Sequence, residues 1–163
     1  MIFVTVGTHE QPFNRLVEFI DSMKGDKRID EEVFVQTGYS TYFPKYCKWE
    51  KLVPYNQMEE YIAKARIVIT HGGPASFLMP LQMNKIPIVV PRQSQFDEHV
   101  NNHQLEFAEE VARRQRNIVV VKDISELGNA ILNYNSLISN MSSDMHSNNE
   151  SFNEKFEKIV EKL

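Results

Sequence analysis

Three stretches of the sequence combine glycine with side chains that donate hydrogen bonds, accept them or carry protons. The first is Gly7-Thr8-His9-Glu10. Glycine lets a chain turn tightly, and backbone N–H groups near a helix start can meet phosphate. A plain strand-to-helix turn has the same composition, so this stretch decides little alone. The second is His71-Gly72-Gly73-Pro74-Ala75-Ser76. Two glycines before a proline that opens a helix leave N–H groups uncovered at a positive helix end, which suits a diphosphate. Ser76 adds a hydroxyl donor. No Gly-Lys-Ser/Thr follows, so this is not a Walker loop, and it is not the dinucleotide turn G-x-G-x-x-G. A purely structural turn is the other reading.

The third stretch runs from Pro91 through Arg92, Gln93, Glu98 and His99 to Asn101, Asn102, His103 and Gln104. It is too polar for mere packing between a strand and a helix. Arg92 offers a charge-assisted fork for phosphate. Glu98, Gln104 and the asparagines offer acceptors and donors for sugar hydroxyls. A solvated loop and helix start is the plainer alternative. His99 and His103 stand four apart and can face one way on a helix, but H-E-x-x-H is absent, because Glu98 precedes His99. Capping or hydrogen-bonding histidines are expected, and no metal site.

These residues need elements to position them. Short apolar runs predict strands over 2–6, 33–36, 51–53, 67–70, 86–90 and 118–121. Phe13, Leu16, Val17, Ile20 and Met23 recur at helical spacing, as do Met58, Tyr61, Ile62 and Ala65. Further helices are expected from Pro74 to about Asn84, over 100–114 and over 124–134, with Pro80 kinking or shortening the first. An aromatic-rich loop occupies 39–48. Buried strands alternating with helices predict an α/β fold, a Rossmann-like parallel sheet with helices on both faces. Ligands of such sheets bind outside the carboxyl ends of the strands, where all three stretches fall.

The chain has 163 residues, 42% apolar and 25% charged, as expected for one globular core. Residues 1–134 form the expected domain, and 135–150, rich in Ser and Asn, a polar linker. Over 151–163, Phe152, Phe156, Ile159, Val160 and Leu163 form a stripe that packs on its own domain or docks on a partner or membrane. A net charge of −4 argues against a nucleic-acid partner. Arg113, Arg114 and Arg116 mark either a solvated helix end or attraction to an anionic membrane. The lone Cys47 excludes an internal disulfide and points to a reducing compartment. Lysines flank it, but no motif makes it a nucleophile, so an incidental thiol is expected. No apolar run reaches the roughly 18–20 residues that span a bilayer. The start reads as a first strand rather than a leader, so a cytoplasmic location is expected.

Taken in order, Val4-Thr5-Val6-Gly7-Thr8, Ile69-Thr70-His71-Gly72-Gly73-Pro74-Ala75-Ser76, Pro87-Ile88-Val89-Val90-Pro91-Arg92 and Glu98-His99-Val100-Asn101-Asn102-His103-Gln104 resemble the C-terminal domain of glycosyltransferase family 28. The likeness covers about residues 1–125. It is similar to PssE-like subunits of capsule and exopolysaccharide transferases and to the catalytic subunit of the dolichol-pathway N-acetylglucosaminyltransferase. The resemblance implies one half of a GT-B glycosyltransferase, with a UDP-sugar as donor substrate and no cofactor or bound metal. It also implies a membrane-associated subunit that brings a polyprenyl-linked sugar acceptor, which would hold this chain at the inner face of the plasma membrane. By the same resemblance Gly72 and Gly73 cradle the diphosphate, Tyr55 and Asn56 lie beside the uracil, and Gln104 faces the donor sugar.

Two positions depart from the family pattern. Many relatives carry a ribose-binding glutamate where Met79 stands, and better-known members carry Asn where Phe107 stands. Glu98 is the candidate substitute. A donor and an acceptor domain of roughly 100–150 residues each do not both fit in this chain, which supports a missing half. The catalytic base is His9 or Glu10 from the first loop, or a group of the partner. The reading that follows is an inverting glycosyltransferase subunit; the alternative is a non-catalytic nucleotide-sugar-binding or scaffolding subunit.

Overall fold

In the computed structural model, which describes residues 1–142, the three four-residue strands are buried at every position: β1 (Ile2–Thr5), β2 (Val33–Gln36) and β4 (Ile67–Thr70). Continuous burial is what a strand covered on both faces requires. The remaining strands are β3 (Lys48–Glu50), β5 (Ile88–Val89) and β6 (Val119–Val120). All pairings are parallel, and the order across the sheet is β3-β2-β1-β4-β5-β6. Parallel pairs need crossover connections, and these supply α1 (Asn14–Gly25), α2 (Tyr55–Lys64), α3 (Pro74–Gln82) and α4 (His103–Gln115), while α5 (Leu127–Leu132) and α6 (Tyr134–Ile138) follow β6.

The period of two along β1 divides the core. Ile2 and Val4 join Leu16, Val17, Ile20, Leu127 and Ile131 on the face covered by α1 and α5. Phe3 points the other way, to Phe34, Ile62 and Val68. On that second face Phe77 and Leu81 of α3 meet Phe107 and Val111 of α4 over Val89. The expected α/β class, with helices on both faces of a parallel sheet, is the observed one.

Several boundaries differ from the expectation. The third strand is not 51–53 but β3, which pairs Trp49 with Val35. Its residues are all exposed, so an edge position hides it from an apolar pattern. Helix α4 begins at His103 rather than 100, after a bend in which Asp97 takes a left-handed conformation with φ 56°. Pro80 sits in the last turn of α3, which ends two residues later. The stretch read as linker starts with helix: α6 carries the buried Tyr134, whose hydroxyl donates to the carbonyl of Ile86 at 2.5 Å. The rest of that linker after residue 142 and the helix expected over 151–163 lie outside the described residues.

One polar residue ties a long loop to α1. Asp21 of α1 is fully buried. Its carboxylate accepts from the Tyr42 hydroxyl at 2.6 Å and from the backbone N–H groups of Lys45, Tyr46 and Cys47 at 2.9, 2.9 and 3.1 Å. The Cys47 thiol is buried there, and burial, with Asp21 beside it, pushes it up to about 12. The flanking lysines therefore do not activate it.

Candidate functional site

In the doubly wound order the chain turns back between β1 and β4, and the loops leaving these strands part to form a crevice. A cleft of about 640 Å³ opens there. It is lined by Gly7, Thr8 and His9 after β1, by His71 and Gly73 to Ser76 after β4, and by His99 and Gln104 near α4. Two of the three stretches singled out above thus meet in one place, with part of the third.

His71 is the centre of the turn after β4. Its Nδ1 lies 3.0 Å from the Gly73 nitrogen and accepts that N–H. The proton is therefore on Nε2, which donates to the Ser76 oxygen at 2.8 Å. Burial, and next the charge of Arg92, push this imidazole down to about 3, while the Gln104 side chain acts the other way. The ring is neutral at any physiological pH. Its packing explains both flanking glycines. A Cβ at Gly73 would fall 2.2 Å from the ring and one at Gly7 2.4 Å, and Gly7 also has φ +79°.

This arrangement corrects the expected diphosphate cradle. The Gly73 N–H is bound to His71, and the Gly72 N–H donates to the side-chain oxygen of Gln104 at 3.1 Å. Neither glycine N–H points to a ligand. Pro74 has no N–H. The donors that remain at the positive end of α3 are the backbone N–H of the exposed Ala75 and the hydroxyl of Ser76, whose oxygen already accepts from His71.

Arg92 is also corrected. It is fully buried, and its guanidinium donates to the carbonyls of Val6 at 2.7 Å, Gln11 at 2.6 Å and Glu98 at 3.0 Å. No fork is left for phosphate. Glu98 is buried as well, and its carboxylate receives Arg15 at 2.8 and 2.9 Å and the Gln93 N–H at 3.1 Å. It lines a separate concavity beside α1 and not the cleft.

His9 and His99 stack at the rim, with ring centres 4.5 Å apart and planes 17° from parallel. His9 Nε2 lies 2.8 Å from the side-chain oxygen of Gln11. An amide oxygen only accepts, so Nε2 donates this bond, and in the neutral ring Nδ1 then carries the lone pair. His99 Nδ1 accepts from the Asn101 N–H at 3.4 Å. Burial first, then the neighbouring His9, Arg92 and His103, hold His99 below the ordinary histidine value. Glu10 is exposed outside the cleft lining, as is His103 at the start of α4. Tyr55 and Asn56 are exposed at the start of α2, while Val53 and Met58 of the same segment line the cleft.

The family is decided by the whole chain: residues 1–163 match the model of the glycosyltransferase family 28 C-terminal domain. The chain belongs to that family. A stretch of 67 residues is 37% identical to the UDP-N-acetylglucosamine transferase subunit ALG13 of Yarrowia lipolytica, covering 41% of this chain and 32% of that protein. The match thus spans about a third of the relative's length. Among solved structures, the glycosyltransferase SnogD from Streptomyces nogalater overlaps 86% of this chain and 39% of its own, at a TM-score of 0.45 and 17% identity.

Some residues of this family 28 domain line the cleft without having stood out in the sequence. Gln36, at the end of β2, is almost fully buried and donates to the carbonyls of Gly7 at 3.2 Å and Lys51 at 2.9 Å. It also receives the Thr5 hydroxyl. A glutamine closing an otherwise apolar strand was the available signal. Leu52 and Val53, which resembled a strand, instead form the apolar wall of the cleft with Met58.

Proposed function

We propose that this domain binds the UDP-sugar of an inverting glycosyltransferase in the switch-point cleft. One observation carries the reading: the open end of α3, with the Ser76 hydroxyl held in place by His71, faces the same cleft as His9, His99 and Gln104. The helix end and Ser76 meet the diphosphate, a group that neutral donors and a positive dipole can hold. The oxygen of Gln104 is engaged by the N–H groups of Gly72 and Arg92 at 3.1 and 3.2 Å. Its amide nitrogen is what it offers the donor sugar. Tyr55 and Asn56 take the uracil, next to the apolar wall of Val53 and Met58.

His9 is the base we favour, through Nδ1. It takes the proton of an acceptor hydroxyl, and the acceptor oxygen bonds to the anomeric carbon on the face opposite UDP. The bond from that carbon to the diphosphate oxygen breaks, and UDP leaves with the electron pair. Fixed donors at α3 stabilise the charge that develops there. The ALG13 relative is named as a subunit of a UDP-N-acetylglucosamine transferase, which supports both a UDP-sugar donor and a second subunit. We assign to that second subunit the polyprenyl-linked acceptor and the attachment to the cytoplasmic face of the membrane, in surface polysaccharide synthesis. The reaction as drawn needs no metal or cofactor.

Calorimetry on the full chain tests the donor site. UDP is expected to bind more tightly than ADP or GDP. Equal affinities for the three would remove uracil recognition, and no binding of any would remove the donor site itself.

A further inference from the structure

The geometry points to Arg92 as a positioning residue that fixes His9 and His99 as one stacked pair. The carbonyls it grips come from three places. Val6 and Gln11 bracket the loop that carries His9, and Glu98 immediately precedes His99. One guanidinium therefore closes the first loop on itself and fastens it to the loop after β5. The ring of Phe13 covers the guanidinium, its centre 5.0 Å away. Glu98 is fixed in turn by Arg15 of α1.

The charge acts on the same pair. Burial pulls the Arg92 guanidinium down to about 10, so it is still cationic at neutral pH. Around the two rings stand His71 after β4, Arg92 and Glu98 after β5, His103 at α4 and Arg15 on α1. The Glu98 carboxylate is bound by Arg15. Burial first, and then the charge of Arg92 among others, disfavours an imidazolium at His99 and at His71. An oriented pair holds His9 Nδ1 in one place for the proton transfer, and only this last step rests on the proposed transfer reaction.

Imidazole NMR on the full chain, without donor or acceptor, tests the staple. In the wild type His9 and His99 should show a ring-to-ring Overhauser contact, and His99 should titrate below an ordinary histidine. Arg92→Met removes grip and charge; the contact should be lost and the His99 midpoint should move up toward the ordinary range. Arg92→Lys keeps a charge but gathers its donors on one nitrogen in place of a planar fork, so the contact should be lost with a smaller rise. Asp21→Asn, which loosens a remote loop, should change neither reading. An unchanged contact and midpoint in Arg92→Met would overturn the proposal, as would equal changes in Asp21→Asn. If neither Arg92 variant folds, the wild-type titration decides: a His99 midpoint at or above the ordinary value refutes it. Such failures leave UDP binding, measured separately, untouched.

Discussion

At His71, three residues share one volume: the imidazole and two glycines that leave room for it. Gly73→Val places a branched side chain where even a Cβ lies 2.2 Å from the ring. The ring must leave Ser76, and the open end of α3 is covered. Donor affinity should fall at least about tenfold, the scale of one charge-assisted hydrogen bond, while the variant still unfolds cooperatively. If UDP protects Gly73→Val against thermal unfolding as well as it protects the wild type, α3 is not the diphosphate site. The same imidazole sets an acid sensitivity. In the unfolded chain it takes a proton near 6.5, and in the fold only near about 3. Between these values the unfolded state binds more protons, so stability drops as pH falls through that window. His71→Gln should flatten the decline in urea midpoint from about pH 7 to about pH 4; an unchanged slope would mean the histidine is not held neutral. Sequence spacing marked His71, Gly72, Gly73 and Ser76 as a site, but not that the ring and Gln104 take up both glycine N–H groups. Those bonds depend on side-chain rotamers and on a helix far along the chain. Arg92 was misread for a similar reason: its three acceptors are backbone carbonyls, which have no signature in sequence.

Helix α1 carries the apolar series Leu16, Val17, Ile20 and Met23, and among them the buried Asp21. Burial opposes its charge, but the donors from Lys45, Tyr42, Tyr46 and Cys47 outweigh that and hold the carboxyl below the usual range. Asp21→Asn replaces one acceptor oxygen with a donor facing donors. It should cost about 1–3 kcal/mol in urea unfolding and speed proteolysis within 37–47 before the rest of the chain. Equal proteolysis of wild type and variant would show that the loop is held by its aromatic packing instead. Elements with strong periodicity were readable: β1, β2, β4, α1 and α2 fall where the apolar residues put them. Elements whose burial is partial were not. β3 has no buried residue, and the apolar Leu52-Val53 beside it drew the assignment to the wrong segment. The bend before α4 was read as helix because it takes its shape from Asp97 and from the Ser94 N–H bound to the Asn102 side chain at 2.8 Å, not from periodicity.

The switch-point cleft is open, and among the described residues no lysine or arginine lines it. A donor bound there is exposed on the side where an acceptor must enter. The full chain alone should therefore bind UDP but transfer sugar at a small fraction of the rate reached with an acceptor-binding subunit, measured as labelled sugar moved to a polyprenyl-linked acceptor. Full transfer without a second subunit would end the half-enzyme reading. The sheet order has one more consequence. Among the described residues β3 ends the sheet with one side unpaired, and that side offers backbone groups that other chains could extend by adding strands. The strand is only three residues long, Lys48 and Glu50 flank Trp49, and Lys48 is paired with Glu32 at 3.0 Å. An incoming strand would find little length to pair with and two charges to desolvate. The edge thus protects itself against fibrous self-association, and the exposed lysine and glutamate that obscured β3 as a strand are the residues that keep it from becoming a template.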